Sequence, residues 1–341
     1  MKVALIRCGR PPTVIIPCLI LTNPQHYHFP LGPPLKDKNL MSSIQTQFLN
    51  LKAHHSQYPA IDPKTALKGS ASGKIIYIAG ASQGIGQATA VAFAQAGAKA
   101  IYIMARSEKA LRETKTQVAK ANPETQCEYM VCDVTDEEQV KASIKDCVAK
   151  FGGIDVVDSN AGYLNQWKKI GESDTTSWWK TWEVNLKGTY YLIRHTMSSL
   201  IESAKKHSAR GSSGGHLILI SSIGAQLVRP TASDYQTSKH AINRLCEFVN
   251  VDHGGDGIKC FAIHPGGVPT VLAKNMPKEL HPYLVDEPDL AAGFIVWLCS
   301  GKADWAKGRY LSSNWDIDEL TQLKDQIVQD DLLVNRLRTK A

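Results

Sequence analysis

An α/β fold built on a single doubly wound parallel sheet, with helices on both faces, is predicted by three observations. From residue 74 onward, short apolar runs alternate with helix-patterned segments. Those runs lack the in–out alternation of a sheet wetted on one side, so both of their faces are buried. The connection after the first run is a glycine-rich turn opening a helix, Gly80-Ala81-Ser82-Gln83-Gly84-Ile85-Gly86. One Rossmann-type domain over residues 74–312 accounts for the whole pattern.

The elements follow in order. Residues 74–79 are the first strand, and the alanine-rich residues 84–97, closed by a glycine, the first helix. Residues 100–105 form a second strand, 108–120 a helix, 128–132 a third strand and 136–151 a helix, and residues 154–157 start the fourth strand. A helix near residues 177–205, a polar loop at 207–215, a strand at 216–221, a helix at 233–251 and a strand at 258–263 continue the alternation.

Residues 1–73 stand apart as a largely irregular, flexible or partly disordered N-terminal extension, with prolines at 11, 12, 17, 24, 30, 33 and 34 and no sustained period. Its apolar run at 14–22 follows Lys2, Arg7 and Arg10 like a weak signal peptide, but Pro17 interrupts it and it is too short to span a bilayer. Met41 is an alternative start. Residues 313–341 form a helical tail, because leucines and isoleucines within 318–337 recur at three- and four-residue spacing, as on an amphipathic helix packed against the body or a partner.

Charge argues against a nucleic-acid partner. Of the formal net charge of +7, residues 1–70 carry +6, since eight Lys/Arg there face only Asp37 and Asp62. The remainder is nearly neutral and has no basic stripe. None of the eight cysteines forms Cys-x-x-Cys, and most sit in apolar stretches. Buried free thiols in a reducing, cytoplasmic compartment are expected rather than disulfides or a metal site. The histidines show no ligand-like spacing, so no metal is expected, and His264 is assigned a structural role.

Several residues carry chemistry. The turn's glycines, Gly80, Gly84 and Gly86, let backbone approach a pyrophosphate at a helix N-terminus, with Ser82 and Ile85 beside it. After the second strand comes Met104-Ala105-Arg106, where a carboxylate would select NAD; Arg106 suits a 2′-phosphate and hence NADP, or is a solvated arginine at a helix start. Asp133 is placed to accept from the adenine amino group, or to cap the next helix. The small residues of Asn160-Ala161-Gly162 admit a cofactor closely. Asp158, just inside the fourth strand, is a buried carboxylate in need of partners. Tyr235 and Lys239 are four apart on one helical face, with Ser222 thirteen residues earlier. An ammonium beside a phenol lowers its pKa from about 10, as proton exchange near neutral pH requires.

Together these residues resemble the short-chain dehydrogenase/reductase family over roughly residues 74–312. The three glycines match, with Ala79 in place of the usual threonine, and Ser159-Asn160-Ala161-Gly162 matches an Asn-Asn-Ala-Gly stretch. The resemblance implies Asn185 as the catalytic asparagine, Ser222 rather than Ser221 as the catalytic serine, and Pro265-Gly266, Val268 and Thr270 along the nicotinamide. It implies that Tyr235 exchanges the proton, Ser222 steadies the carbonyl oxygen, Lys239 tunes the phenol and holds the nicotinamide ribose, and Asn185 seats a relay water. Tyr235 and Lys239 would thus also contact the cofactor. The usual closing Val-Asp-Gly-Gly is absent. Instead, residues 308–320 with Tyr58-Pro59-Ala60-Ile61-Asp62-Pro63 resemble fungal members, many from secondary-metabolite pathways. The implied function is NADP(H)-linked hydride transfer, with NAD(H) second, to or from a ketone or secondary alcohol of a moderately large apolar compound. Residues 271–289 would act as a lid that sets substrate choice. The helices bearing Trp178, Trp179, Trp182 and Tyr235 would supply a homodimer or tetramer face, and no stable membrane insertion is expected. The rival reading is a non-catalytic NADP-binding sensor or scaffold.

Overall fold

Alternate side chains of the inner strands feed two separate cores, which is why those strands are mostly apolar, whereas the edge strand at Gln126–Val131 is polar and partly exposed. The computed structural model describes residues 49–337; the apolar run at 14–22, Cys8, Cys18 and Met41 lie outside the described residues. Strands β1 (Ile75–Ala79), β2 (Ala100–Ala105), β3 (Gln126–Val131), β4 (Val156–Ser159), β5 (His216–Ile220), β6 (Lys259–His264) and β7 (Tyr310–Ser312) form one parallel sheet. Their order is β3-β2-β1-β4-β5-β6-β7. The order reverses between β1 and β4, which pair from Ile76 with Val156 to Ala79 with Ser159.

The helices are α1 (Gly84–Gln95), α2 (Glu108–Ala121), α3 (Glu137–Phe151), α4 (Thr175–Trp182), α5 (Gly188–Ser208), α6 (Ser233–His253), α7 (Pro288–Leu298), α8 (Ile317–Gln322) and α9 (Lys324–Gln329). Ile76, Ile78, Ile101 and Ile218 point into one core with α1, α2 and α7. Ile75, Tyr77, Tyr102 and Leu217 point into the other with α3, α5 and α6. Side chains of Ser107, Asp136, Asp174 and Asp316 cap α2, α3, α4 and α8. Helix α1 has no side-chain cap.

Three expectations change. The long helix near 177–205 is two helices, α4 and α5, joined by a π-helical turn, Glu183–Lys187. The helical tail is likewise broken at Leu323 into α8 and α9, each six residues long. Residues 49–73 are irregular as expected, with one short 3₁₀ turn, Pro59–Ile61, yet they belong to the core. Ile61 and Leu67 are fully buried, and a Cβ on Gly293 of α7 would stand 2.5 Å from the Ile61 carbonyl oxygen. Helix α7 itself is buried along its whole apolar middle and so shows no amphipathic period.

Asp158 has no counterpart for its charge. It lies on β4 between Ile78 and Ile218, fully buried, and neither carboxylate oxygen has a hydrogen-bond partner among the described residues. Burial pushes its carboxyl up to about 8. Between about pH 4 and pH 8 the folded chain therefore holds a proton that the unfolded chain releases, so stability falls as pH rises across that window. Asp158→Val is expected to raise unfolding free energy by on the order of 3 kcal/mol or more at pH 8, with the gain shrinking towards pH 4. Urea denaturation at several pH values checks this; a gain independent of pH would mean that folding leaves the titration of Asp158 unchanged.

Candidate active site

At the point where the strand order reverses, a cavity of about 680 Å³ opens beyond the carboxyl ends of the strands. Every candidate catalytic or cofactor-binding residue from the sequence lines it except two, Gly86, against the Gly80 carbonyl, and Asn185, bonded to Tyr163 and Ser238.

The end of the cavity that holds Ser222, Tyr235 and Lys239 is built by α6 and the loop after β5. Ser222 Oγ accepts from the Gly224 N–H at 3.0 Å, and its hydroxyl draws the Tyr235 phenol down against the effect of burial. Ser221 turns away to α6, where its hydroxyl donates to Asn243 Oδ1 at 2.6 Å, so Ser222 is the serine beside the phenol. His264 braces this loop: its Nδ1 accepts from the Ile223 N–H at 3.1 Å, and burial holds the ring down to about 4, neutral at working pH. Lys239 donates from Nζ to the Ile220 carbonyl at 2.6 Å, and Nζ stands 5.8 Å from the centroid of the Tyr235 ring.

Here the structure departs from the expected electrostatics. Burial raises the Tyr235 phenol, and the influence opposing it is the Ser222 hydrogen bond rather than Lys239. Burial also pushes the Lys239 ammonium down to about 8. The reason is common to both: an ionised group removed from water loses solvation, and at nearly 6 Å the attraction between the two does not restore it.

Asn185 lies in the π-helical turn, whose extra residue sets it inward. Its Oδ1 accepts from the Tyr163 N–H at 2.7 Å, and its Nδ2 donates to the Tyr163 carbonyl and to Ser238 Oγ, each at 3.0 Å. The asparagine thus ties the loop after β4 to α6.

The opposite end fits a dinucleotide. Gly80 has φ +86°, and a Cβ there would stand 2.7 Å from the Ala161 backbone; one on Gly86 would meet the Gly80 carbonyl oxygen at 2.4 Å. Asn160 Nδ2 donates to that same carbonyl at 2.8 Å. The turn therefore lies flat on the Asn160–Gly162 loop and presents the uncapped first turn of α1, with Ser82, Gly84 and Ile85, to the cavity. Free N–H groups at a helix start suit a pyrophosphate. Arg106 and Asp133 lie further along the same wall. Partial burial would raise Asp133, but the Thr135 N–H and hydroxyl, at 2.9 and 2.8 Å, together with the Lys180 and Arg106 charges, outweigh it and hold the carboxyl below its usual range. Asp136, not Asp133, caps α3. Val268 and Thr270 line the far side, and the Thr270 hydroxyl accepts from the Ala273 N–H at 3.1 Å.

A family model described as short chain dehydrogenase matches residues 74–281. The short chain dehydrogenases mpl6 of Monascus purpureus and citE of Monascus ruber are each 43% identical over 289 residues, covering 84% of this chain and 95% of theirs. The crystal structure of levodione reductase superposes with a TM-score of 0.64 at 25% identity, over 71% of this chain and 96% of that one.

Two supporting residues fall outside the matched segment and outside the motifs read from the sequence. Asp286 is buried behind the Pro265–Gly267 loop, where its Oδ2 accepts from the Gly267 N–H at 2.5 Å and from Asn314 Nδ2 at 3.0 Å. Its Oδ1 is 2.5 Å from Nδ1 of His55, which comes from the segment before β1. No spacing rule joins residues 231 apart, so only the fold reveals the pair. Asp286→Ala leaves two buried donors unsatisfied and is expected to cost about 2–5 kcal/mol. Asp286→Asn should recover most of that, since an amide can turn its oxygen to Gly267 and Asn314 and its NH₂ to His55. Chemical denaturation of both variants checks this, and an equally destabilised Asn variant would count against it.

Proposed function

The chain belongs to the short-chain dehydrogenase family of oxidoreductases, and on that premise we propose that it is an NADP(H)-dependent carbonyl reductase or alcohol dehydrogenase. Its substrate is a ketone or secondary alcohol of a moderately large apolar compound, within a secondary-metabolite pathway. The observation that carries this reading is Ser222, Tyr235 and Lys239 lining one cavity with the uncapped, glycine-bounded start of α1. The Monascus relatives support the pathway context.

A nicotinamide dinucleotide, when bound, supplies or takes the hydride. Gly80, Ser82, Gly84 and Ile85 would hold its pyrophosphate, and Asp133, Asn160, Val268 and Thr270 would flank the remainder. Arg106, exposed beside Ser107 at the start of α2, is suited to a 2′-phosphate. In the reductive direction Tyr235 donates its phenolic proton to the carbonyl oxygen, and a phenol raised by burial keeps that proton available. Ser222 donates a hydrogen bond to the same oxygen as negative charge develops. Lys239 resupplies the proton, along a water seated by Asn185. Exposed Trp179, Tyr190, Phe248 and Val251 on α4, α5 and α6 support association of two copies through those helices. The six described cysteines, all free and buried, support a reducing compartment.

Tyr235→Phe is expected to lower NADPH-linked ketone reduction by about 10²–10⁴-fold without loss of cofactor binding; near-normal turnover would refute the mechanism, and cofactor binding with no turnover of any ketone by the unaltered chain would favour a sensor. Arg106→Ala should weaken NADPH by about 10-fold or more while leaving NADH unchanged, read by fluorescence titration. Because Lys239 titrates near 8 and its charged form carries the proton, reduction should hold level below about pH 8 and decline above it.

A further inference from the structure

We propose that Arg229 selects substrates bearing a carboxylate away from the reacting carbonyl, an assignment that deepens the carbonyl-reductase reading and rests on it. Leu164, Trp167, Leu227, Met276, Leu280 and Tyr283 make the cavity wall around the proton-handling end apolar. Four charged side chains line the whole cavity among the described residues: Arg106, Asp133, Lys239 and Arg229. Arg106 and Asp133 lie at the dinucleotide end. Lys239 is buried and bonded to the Ile220 carbonyl. Arg229 is the remaining charge, and Tyr283 of the apolar wall is an electrostatic neighbour of it.

Its position is built rather than incidental. Arg229 lies in the segment that joins Ser222 to Tyr235, and its N–H donates at 2.9 Å to Oε1 of Gln236, the residue after the tyrosine. Pro230 follows and keeps the Arg229 backbone extended. The side chain is half-buried, while Val228 beside it is fully exposed, so Arg229 stands at the cavity mouth. A carboxylate there would keep part of its hydration and avoid the full cost of desolvation. Desolvation draws the guanidinium down from its ordinary range, with the Tyr283 phenol opposing, and an anion alongside would favour the charged form further. The guanidinium has five N–H donors in a planar fork, so it can take a carboxylate alongside its contacts within the chain.

The test pairs 3-acetylbenzoate with its methyl ester, two aryl ketones that differ in one charge. Binding to the full chain with NADP present is measured by calorimetry, and turnover by NADPH oxidation. The acid is expected to bind about 10-fold or more tightly than the ester. Arg229→Met should erase that difference by weakening the acid while the ester stays within about two-fold, and Arg229→Lys should retain part of it. Melting curves establish that both variants are folded. Equal affinity of the two probes for the unaltered chain, absence of binding for both, or an equal loss for both in Arg229→Met overturns the assignment. An acid preference without NADPH oxidation leaves the role of Arg229 standing and counts instead against reduction of these ketones.

Discussion

The contact on which the site depends is that between Gly80 and the backbone of Ala161. The two approach so closely that no side chain fits between them, and Gly86 presses against the Gly80 carbonyl in the same way. Strands β1 and β4 are paired neighbours, in register to Ala79 and Ser159, so their loops leave the sheet side by side. Two absent Cβ atoms let one loop lie on the other, and Asn160 fastens them. As a result the start of α1 faces the same cavity as the end of the Asn160–Gly162 loop. A bulkier residue at either position would lift the turn, and the helix start would no longer face the cavity.

At the other end of that cavity, solvation governs more than charge does. Intuition from a Tyr-x-x-x-Lys spacing places an ammonium against a phenol and a lowered phenolic pKa. Both groups instead lose water on burial, and both move toward their neutral forms. A tyrosine kept protonated is suited to giving a proton, and a lysine that titrates near 8 is suited to exchanging one with water. The same physics acts at Asp158, where a carboxyl deep between two isoleucines has no hydrogen-bond partner among the described residues. The contrast separates a cost that serves chemistry from one with no evident return.

The βα alternation, most strand positions and the convergence of residues 80 to 270 on one cavity were legible in the chain, because local periodicity and turn chemistry encode them. The breaks were not. The π-helical turn holds Asn185 against Tyr163 and Ser238, partners beyond any local window. Helix α7 escaped notice because a helix buried on all sides has no polar face to mark its period. Residues 49–73 looked irregular, and they are, but irregular backbone says nothing about burial; Ile61 and Leu67 join the core all the same. The preference for Ser222 over Ser221 came from the family resemblance, and the two hydroxyls do go different ways, Ser221 to Asn243 and Ser222 to the side of Tyr235.

The segments flanking the matched domain then acquire a definite task. Asp286 holds Gly267, and a Cβ on Gly266 would collide with its carboxylate, so this loop and Asp286 are built against each other. Asp286 is itself held by His55 from before β1 and by Asn314 from after β7. Asn314 also donates to the His54 carbonyl, and His54 pairs with Asp316 at the cap of α8. Both flanking segments therefore meet behind the Pro265–Gly267 loop, on the far side from the cavity. Changes in them would shift that loop, and the wall bearing Val268 and Thr270, without touching Ser222, Tyr235 or Lys239. The wall bearing Val268 and Thr270 and the cluster of Ser222, Tyr235 and Lys239 are therefore supported from different parts of the chain.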